Sequence, residues 1–222
     1  MKWFSSNKLS LSLGKSKFIV FHGKRKNSVP HLNKIIIDGE EICRAQNLKY
    51  IGLILDENVT WEPHINSIIK SLQPYFGVFY NIRSFINLPT ARSIYFSTIY
   101  SRIKYGIEIY GSATKRLTNK LQVMQNKLLK VLLNKNRRYS TNALHSYVNI
   151  LNVDDICNSA LLNFVYDCIA EDPIDSFTDF FALRQNFHPY NTRQHHDIQQ
   201  RRPNTQYGKS TTHYKGSDLW NN

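Results

Sequence analysis

The sequence predicts an α+β protein in which a small N-terminal region of antiparallel β-hairpins precedes mainly helical sequence and a loosely ordered C-terminal tail. Short apolar runs separated by turn residues fill the first 59 residues, whereas apolar residues recur every three to four positions after residue 60. From residue 183 onward polar side chains dominate and the periodicity disappears. We therefore expect four segments, 1–59, 60–138, 139–182 and 183–222.

The predicted β region consists of short apolar runs. The run at 17–21 predicts a first strand. Residues 34–37 and 40–43 predict a hairpin, because the Asp-Gly pair between them suits a tight turn. Residues 48–55 predict a further single strand. Hairpins of this size need other elements to pack against.

The helical region is predicted from periodicity and from helix-breaking residues. A first helix is predicted to begin at Trp61 with Thr60 as its N-cap. Pro74 should break this helix, because proline removes a hydrogen bond and clashes one turn back. Asn152 is the expected N-cap of the last predicted helix. The other predicted helices cover about 91–105, 115–134 and 153–170.

Charge is unevenly distributed along the 222 residues, whose formal net charge is +13. Residues 61–138 contain 13 Lys and Arg and two acidic residues, whereas residues 139–182 contain seven acidic residues and no Lys or Arg. A basic block of this kind favours a polyanion partner such as nucleic acid. The alternative is a basic surface that only meets solvent.

The third predicted helix concentrates its cations. At 100° per residue, four of them fall within roughly an 80° sector beside the apolar side, and such a face can lie along a phosphate backbone. An ordinary amphipathic helix with a Lys-rich polar face is the alternative. The four are Arg116, Lys120, Lys127 and Lys130, and Arg137 and Arg138 extend the basic run past the helix.

Several classes of protein are not expected from this sequence. It has no apolar run of 18 residues to span a membrane and no secretory signal, and its three cysteines are odd in number and widely spaced. We therefore expect an intracellular, non-secreted protein with reduced thiols. The His-rich tail lacks zinc-finger spacing, so no metal site is predicted.

Six segments, in this order, resemble the C-terminal part of non-LTR, LINE-type (jockey-like) retrotransposon reverse transcriptases. Each segment alone is a weak signal, but together they span nearly the whole chain in the family's order and spacing. Ser12 departs from the family, which usually has Asn there. The segments are 7–11 with 15–21, 50–56 with Trp61 and His64, 105–111, 121–127, 190–193, and 214–216 with 219–221.

The resemblance implies roles for parts of the chain. Residues 1–59 would be the end of the palm with the primer grip, where Lys49, Tyr50 and Gly52 lie, and residues 60–138 would be a thumb-like region that packs against the template–primer. Lys15 would lie near the phosphates of the incoming nucleotide. The implied partners are an RNA–DNA hybrid or RNA template–primer and the missing palm and fingers. Trp61 is expected in the core and His64 on the surface.

The resemblance also implies that this chain lacks the catalytic carboxylates, because the family's aromatic-x-Asp-Asp motif lies upstream of where the chain begins. No cofactor is then expected in this chain. Mg²⁺ is expected only in the full-length polymerase. Asp154 and Asp155 are interpreted as helix-capping residues. We expect a truncated, inactive fragment that binds nucleic acid. The alternatives are a fragment that works when the palm is supplied in trans and a small basic adaptor unrelated to polymerisation.

Overall fold

The chain divides into two units, Met1–His64 and Ile65–Asn222, each with its own internal contacts. The structure is a computed structural model. It describes residues 2–9, 12–23, 32–37, 39–170, 177, 180–187, 193–200 and 202–222. The four-segment division stays a prediction.

The first hairpin joins β1 (Lys34–Ile37) to β2 (Glu40–Cys43). The strands pair antiparallel with Ile35 opposite Ile42, and Ile42 is buried. Gly39 in the turn has a φ of 82°, a conformation that favours glycine. This hairpin was predicted and is confirmed.

The second hairpin replaces the single strand predicted over 48–55. Strand β3 (Asn47–Tyr50) pairs antiparallel with β4 (Leu53–Asp56). Between them, Ile51 and Gly52 have φ values of 44° and 80°, the two positive values that a type I′ turn requires. The prediction was wrong because Ile-Gly is not a usual turn sequence, since a β-branched residue is strained at positive φ.

The strand predicted over 17–21 is reduced to a single bridge. Phe18 bridges Arg44 in parallel, and the Phe18 carbonyl accepts a hydrogen bond from the Ala45 amide at 2.8 Å. A short apolar run indicates burial without specifying a pairing partner, which is why the strand prediction failed here. Earlier elements are α1 (Lys2–Ser6) and a 3₁₀ turn (Leu13–Lys15).

Helices make up most of the chain after residue 60. A π-helical segment, Phe96–Tyr100, joins the fourth helix to the fifth without a break. The helices are α2 (Glu62–Leu72), α3 (Tyr75–Ile82), α4 (Leu88–Tyr95), α5 (Ser101–Lys104), α6 (Ile107–Tyr110), α7 (Lys115–Leu132), α8 (Thr141–Val148), α9 (Val153–Ile169), α10 (Gln206–Lys209) and α11 (Thr212–Asn221).

Helix boundaries follow from capping and breaking residues. α2 ends and α3 begins on either side of Pro74, as predicted, because proline has no amide hydrogen to continue a helix. The Asn87 side chain accepts from the Thr90 amide at 3.0 Å and caps α4. Asn152 accepts from the Asp155 amide at 2.9 Å and caps α9, which confirms the predicted N-cap.

The core of the second unit lies around α7, which packs against α3, α8 and α9. The predicted helices over 115–134 and 153–170 are confirmed as α7 and α9. Both have a continuous apolar side, and burial of that side is the main stabilising contribution for helices of this length. The buried apolar residues of α7 are Leu117, Leu121, Leu128, Leu129 and Leu132.

The described part of the tail contains a helix that the periodicity did not reveal. α11 packs against α9, and its Gly216 and Ser217 are buried. Nearby, Phe181 and Ile198 join α9 residues in a small apolar cluster. A polar helix of this kind is stabilised by its extensive packing against α9, which a hydrophobic pattern does not show.

The predicted fold class is confirmed, since two antiparallel hairpins precede a mainly helical region. α8 was not predicted because only Leu144 and Val148 of its eight residues are buried. Among the described residues, no helix has the length and apolar character that crossing a membrane requires.

Candidate nucleic-acid interface

The cationic face of α7 consists of Arg116, Lys120, Lys127 and Lys130. Leu121 and the other leucines of α7 are buried on the adjoining apolar side, so the charged side chains point away from the core. The first three cations are exposed and Lys130 is half-buried. The structure therefore brings the four predicted residues together on one helix, and their contact with nucleic acid remains a prediction.

A buried glutamine fixes how α7 is rotated about its axis. Gln125 is fully buried, and its Nε2 donates to the Tyr95 hydroxyl at 2.8 Å and to the Leu151 carbonyl at 3.0 Å. Burial raises the pKa of Tyr95 to about 12, so its hydroxyl stays neutral. Gln122 continues the network, since its Oε1 accepts from the Val153 amide at 2.7 Å. Rotation of α7 would break these bonds, so the network holds the cationic face outward.

Asn126 extends this network to α8. Its Oδ1 lies 2.8 Å from His145 Nε2 and also accepts from Gln122 Nε2 at 2.8 Å. In the motif that links Gln125, Asn126 and Lys127, two residues thus face neighbouring helices and the third faces solvent. The sequence signal was available, because polar residues at core positions of a helix need buried partners.

The basic turn, residues 133–140, follows α7 in a defined conformation. Asn134 has a φ of 51°, its amide donates to the Val131 carbonyl, and the Lys135 amide donates to the Lys130 carbonyl. These are the two bonds of a Schellman motif. Lys130 Nζ also donates to the Arg137 carbonyl at 2.9 Å, which explains its partial burial.

Two of the predicted contact residues, Arg137 and Arg138, lie in the basic turn with exposed side chains. The Asn136 Oδ1 accepts from the Arg138 amide at 3.1 Å. The basic turn therefore adds two exposed cations directly after the cationic face, and the Lys130–Arg137 hydrogen bond joins the two.

Four predicted contact residues belong to the first unit. Lys15 is exposed at the end of a 3₁₀ turn, Lys49 and Tyr50 are exposed on β3, and Gly52 is in the β3–β4 turn. The neighbouring Ile51 is also exposed despite its apolar side chain. The hairpin tip thus presents Tyr50 and Ile51 beside Lys49, and the role of this tip stays a prediction.

Asp56 organises the connection from the second hairpin to α2. Its carboxylate accepts from the Thr60 amide and hydroxyl and from the Trp61 amide, each at about 2.9 Å. These bonds hold a loop in which Val59 and Trp61 both have positive φ. Trp61 is buried, as predicted. Asp56 and Trp61, which both belong to the segment 50–56 with Trp61 and His64 that resembles the retrotransposon family, therefore have a structural explanation.

His64 was predicted to be a surface residue, and this prediction was wrong. It is only 5% exposed, and its Nδ1 accepts from the Ile54 amide at 3.3 Å. Burial lowers the pKa of His64, which favours the neutral ring that can accept this bond. A polar residue in the first turn of a helix is exposed by default, but here the β4 strand lies against it.

The second Tyr-Gly pair of the 105–111 motif packs closely against α9 and α11. Gly106 has a φ of 69°, which favours glycine, and the Tyr110 hydroxyl donates to the Ile103 carbonyl. A Cβ on Gly111 would collide with Cys157 Sγ. Lys215 Nζ donates to the Gly111 carbonyl at 3.3 Å, so the motif at 214–216 contacts the motif at 105–111.

The adjacent aspartates at the start of α9 are both engaged. Asp154 forms an ion pair with Lys115, and Asp155 accepts from Asn152 Nδ2 at 2.5 Å. Both lie in the first helical turn, as the capping interpretation predicts. Within the described residues, no group of three or more His, Cys, Asp or Glu could hold a metal ion. The motif at 190–193 lies outside the described residues except for Arg193.

The sequence is similar to RNA-directed DNA polymerases of mobile elements. It is 26% identical over 132 residues to the RNA-directed DNA polymerase from mobile element jockey of Drosophila funebris, a match covering 58% of this chain and 14% of that protein. It is 24% identical over 160 residues to the probable RNA-directed DNA polymerase from transposon X-element of Drosophila melanogaster, covering 71% of this chain and 17% of that protein.

The probable RNA-directed DNA polymerase from transposon BS of Drosophila melanogaster is 25% identical over 133 residues, with 59% of this chain and 15% of that protein covered. The chain thus spans a small part of the curated relatives it matches. No family model and no solved structure matches the chain. The resemblance to jockey-like retrotransposon polymerases is confirmed by these relatives.

Proposed function

We propose that this chain is a portion of a retrotransposon RNA-directed DNA polymerase that contacts the backbone of a template–primer through α7. The observation that carries the proposal is the cationic face, which the buried Gln125 holds away from the core. Similarity to mobile-element polymerases supports nucleic acid as the polyanion. The partners would be an RNA–DNA hybrid or RNA template–primer and the palm and fingers of the parent polymerase.

The chemistry of this face suits contact without sequence selection. Lys and Arg neutralise phosphates and release condensed counterions, which gives affinity that does not depend on base identity. A polymerase needs this property because it moves along every sequence it copies. Gripping an A-form hybrid by its backbone and shape meets the same requirement.

The proposal assigns binding to this chain and polymerisation to the parent enzyme. Two-metal nucleotidyl transfer needs carboxylates whose oxygen atoms are available to Mg²⁺. The Asp154–Asp155 pair does not fit this requirement, because Asp154 pairs with Lys115 and Asp155 bonds to Asn152. A primer-extension assay with Mg²⁺ and deoxynucleotides tests this assignment, and incorporation by the purified chain alone would contradict it.

The binding proposal predicts a measurable salt dependence. Replacing Arg116, Lys120, Lys127 and Lys130 with Gln should lower the slope of log K against log salt for an RNA–DNA hybrid by about 3–4, since each phosphate contact contributes about 0.9. Fluorescence anisotropy across a salt series measures this slope. The fold should survive, because the substituted side chains lie outside the core.

A matched control removes the same charge elsewhere. Replacing Lys70, Lys104, Arg202 and Lys209, which are exposed in the second unit, with Gln should leave the slope nearly unchanged. Equal losses in both quadruple variants would mean that net charge, and not the cationic face, sets the affinity. Binding that does not depend on salt would contradict the proposal and favour a basic adaptor.

A further inference from the structure

The basic turn holds a lysine against two tyrosine rings. Lys135 Nζ lies 5.2 Å from the ring centre of Tyr139 and 4.8 Å from that of Tyr147. Tyr147 is 51% exposed, although its ring contacts Lys135. The two rings therefore share one lysine, and half of the Tyr147 side chain stays open to a ligand.

Hydrogen bonds order the surroundings of these rings. The Schellman motif fixes the chain at Lys135, and the Tyr139 amide donates to the Asn136 carbonyl at 2.9 Å. Tyr147 lies on α8, which is tied to α7 through the contact of His145 with Asn126. The rings are therefore presented by an ordered turn and a helix, so little conformational entropy is lost when a ligand stacks on them.

From this arrangement we infer that Tyr139 and Tyr147, with Lys135, Arg137 and Arg138, form a stacking platform for single-stranded nucleic acid. Unpaired bases expose their faces and stack on aromatic rings, while cations contact the adjacent phosphates. A duplex buries its base faces between neighbouring pairs, so it would use the cations of the turn but not the rings. The ligand class is thus an unpaired strand.

The platform lies directly beyond the end of the cationic face. The inference rests on the proposed function, because the same helix would hold the paired part of a template–primer while the platform receives an unpaired strand that continues from it. It adds a second kind of contact, which depends on stacking and so persists when salt weakens the phosphate contacts.

Fluorescence anisotropy with two probes tests the platform. The probes are a blunt RNA–DNA hybrid and an unstructured single-stranded oligonucleotide of the same length. Tyr147→Ala should weaken single-strand binding about tenfold, while affinity for the blunt hybrid changes less than about twofold. Tyr147→Phe should retain the affinity of the parent chain, because the ring and not the hydroxyl provides the stacking.

Tyr166 provides a matched control. It is 62% exposed on α9, within the acidic segment, so Tyr166→Ala should leave binding of both probes unchanged. Far-UV circular dichroism checks that each variant remains folded. Photocrosslinking from 5-iodouridine in the single strand gives a second measurement, with the crosslink expected on Tyr139 or Tyr147.

The outcomes separate the two proposals. Unchanged single-strand affinity in Tyr147→Ala, or equal losses on both probes, would overturn the platform. If the parent chain fails to bind the blunt hybrid but binds the single strand through Tyr147, the duplex proposal fails and the platform stands. If the parent chain binds the hybrid with the expected salt slope but Tyr147→Ala has no effect on either probe, the duplex proposal stands and the platform fails.

Discussion

Asp56 shows how one carboxylate stabilises an irregular connection. The loop after β4 contains two non-glycine residues with positive φ, each of which is strained. The Asp56 carboxylate offsets this strain by accepting from two amides and a hydroxyl. An ionised aspartate only accepts hydrogen bonds, so it suits this position. An asparagine would place its own NH₂ group against the amide and hydroxyl donors of the loop.

Asp56→Asn should therefore destabilise the chain strongly. We expect a loss of about 3 kcal/mol in the free energy of unfolding, since hydrogen bonds to a buried carboxylate are lost and amide donors are left unsatisfied. Urea unfolding followed by circular dichroism measures this loss. Glu40→Gln, at an exposed carboxylate on β2, is the control and should change stability by less than about 0.5 kcal/mol.

Two histidines, the buried His64 and the half-buried His145, make stability depend on pH. Burial lowers the pKa of His64 and of His145 below the ordinary value of 6.5. The unfolded chain then binds more protons than the folded chain just below pH 6.5. The free energy of unfolding should thus be highest above pH 6.5 and should fall as the pH drops through 6.5 towards the folded pKa values.

Unfolding in urea at pH 7.5 and at pH 5.5 measures this fall. His64→Gln, which keeps an acceptor for the Ile54 amide, should make the fall shallower, whereas replacement of the exposed His196 with Gln should not. A fall of the same size in His64→Gln as in the parent chain would show that His64 does not contribute to it.

At the scale of elements, two glycines inside helices illustrate opposite situations. A Cβ on Gly216 of α11 would lie 2.8 Å from Val165 Cγ2 and 3.1 Å from Phe181 Cζ. A Cβ on Gly77 of α3 would meet nothing within 4 Å. The first glycine permits helix packing, and the second has no such role.

Alanine at these two positions should change stability in opposite directions. Gly216→Ala should destabilise by about 2 kcal/mol through overpacking against α9. Gly77→Ala should stabilise by about 1 kcal/mol, because alanine favours the helix and no contact opposes it. Thermal unfolding of the two variants measures both effects. A stabilised Gly216→Ala would contradict the packing of α11 on α9.

Elements with a strong local signal were predictable, and those set by tertiary contacts were not. Periodicity identified α7 and α9, and Pro74 marked the boundary between two helices. The turn at Ile51 could not be predicted, because the surrounding hairpin imposes a conformation that isoleucine disfavours. α11 could not be predicted either, since its packing on α9 depends on a small residue, Gly216, and not on an apolar side.

The candidate interface was predictable only where local sequence sets it, and not where tertiary contacts do. Helical geometry alone placed the four cations of α7 on one face. The tyrosines of the platform were missed because Tyr139 and Tyr147 lie eight positions apart and come together only through the basic turn and α8. The Gln125 network was missed because its partners, Tyr95 on α4 and Leu151 in the connection from α8 to α9, are distant in the sequence.

At the scale of the whole molecule, net charge would attract a polyanion and the fold would set which residues contact it. The net charge of +13 attracts a polyanion over distances of about a Debye length, roughly 8–10 Å at physiological salt. The residues that would contact it are fixed by local structure, above all by α7 and the turn that follows. Long-range attraction would increase the rate of association, and the cationic face and platform would determine how a bound strand lies.

The contacts of α11 also have a consequence for protein synthesis. The Thr212 hydroxyl donates to the Glu108 carbonyl, and Lys215 donates to the Gly111 carbonyl, in both cases across 104 residues of sequence. A ribosome therefore releases the α6 region long before its partner exists. Until α11 emerges, one side of α9 stays uncovered on the nascent chain, where chaperones bind exposed apolar surface. The core around α9 is therefore completed only after residues 212–221 have been made, so synthesis that stops before them yields an incomplete core.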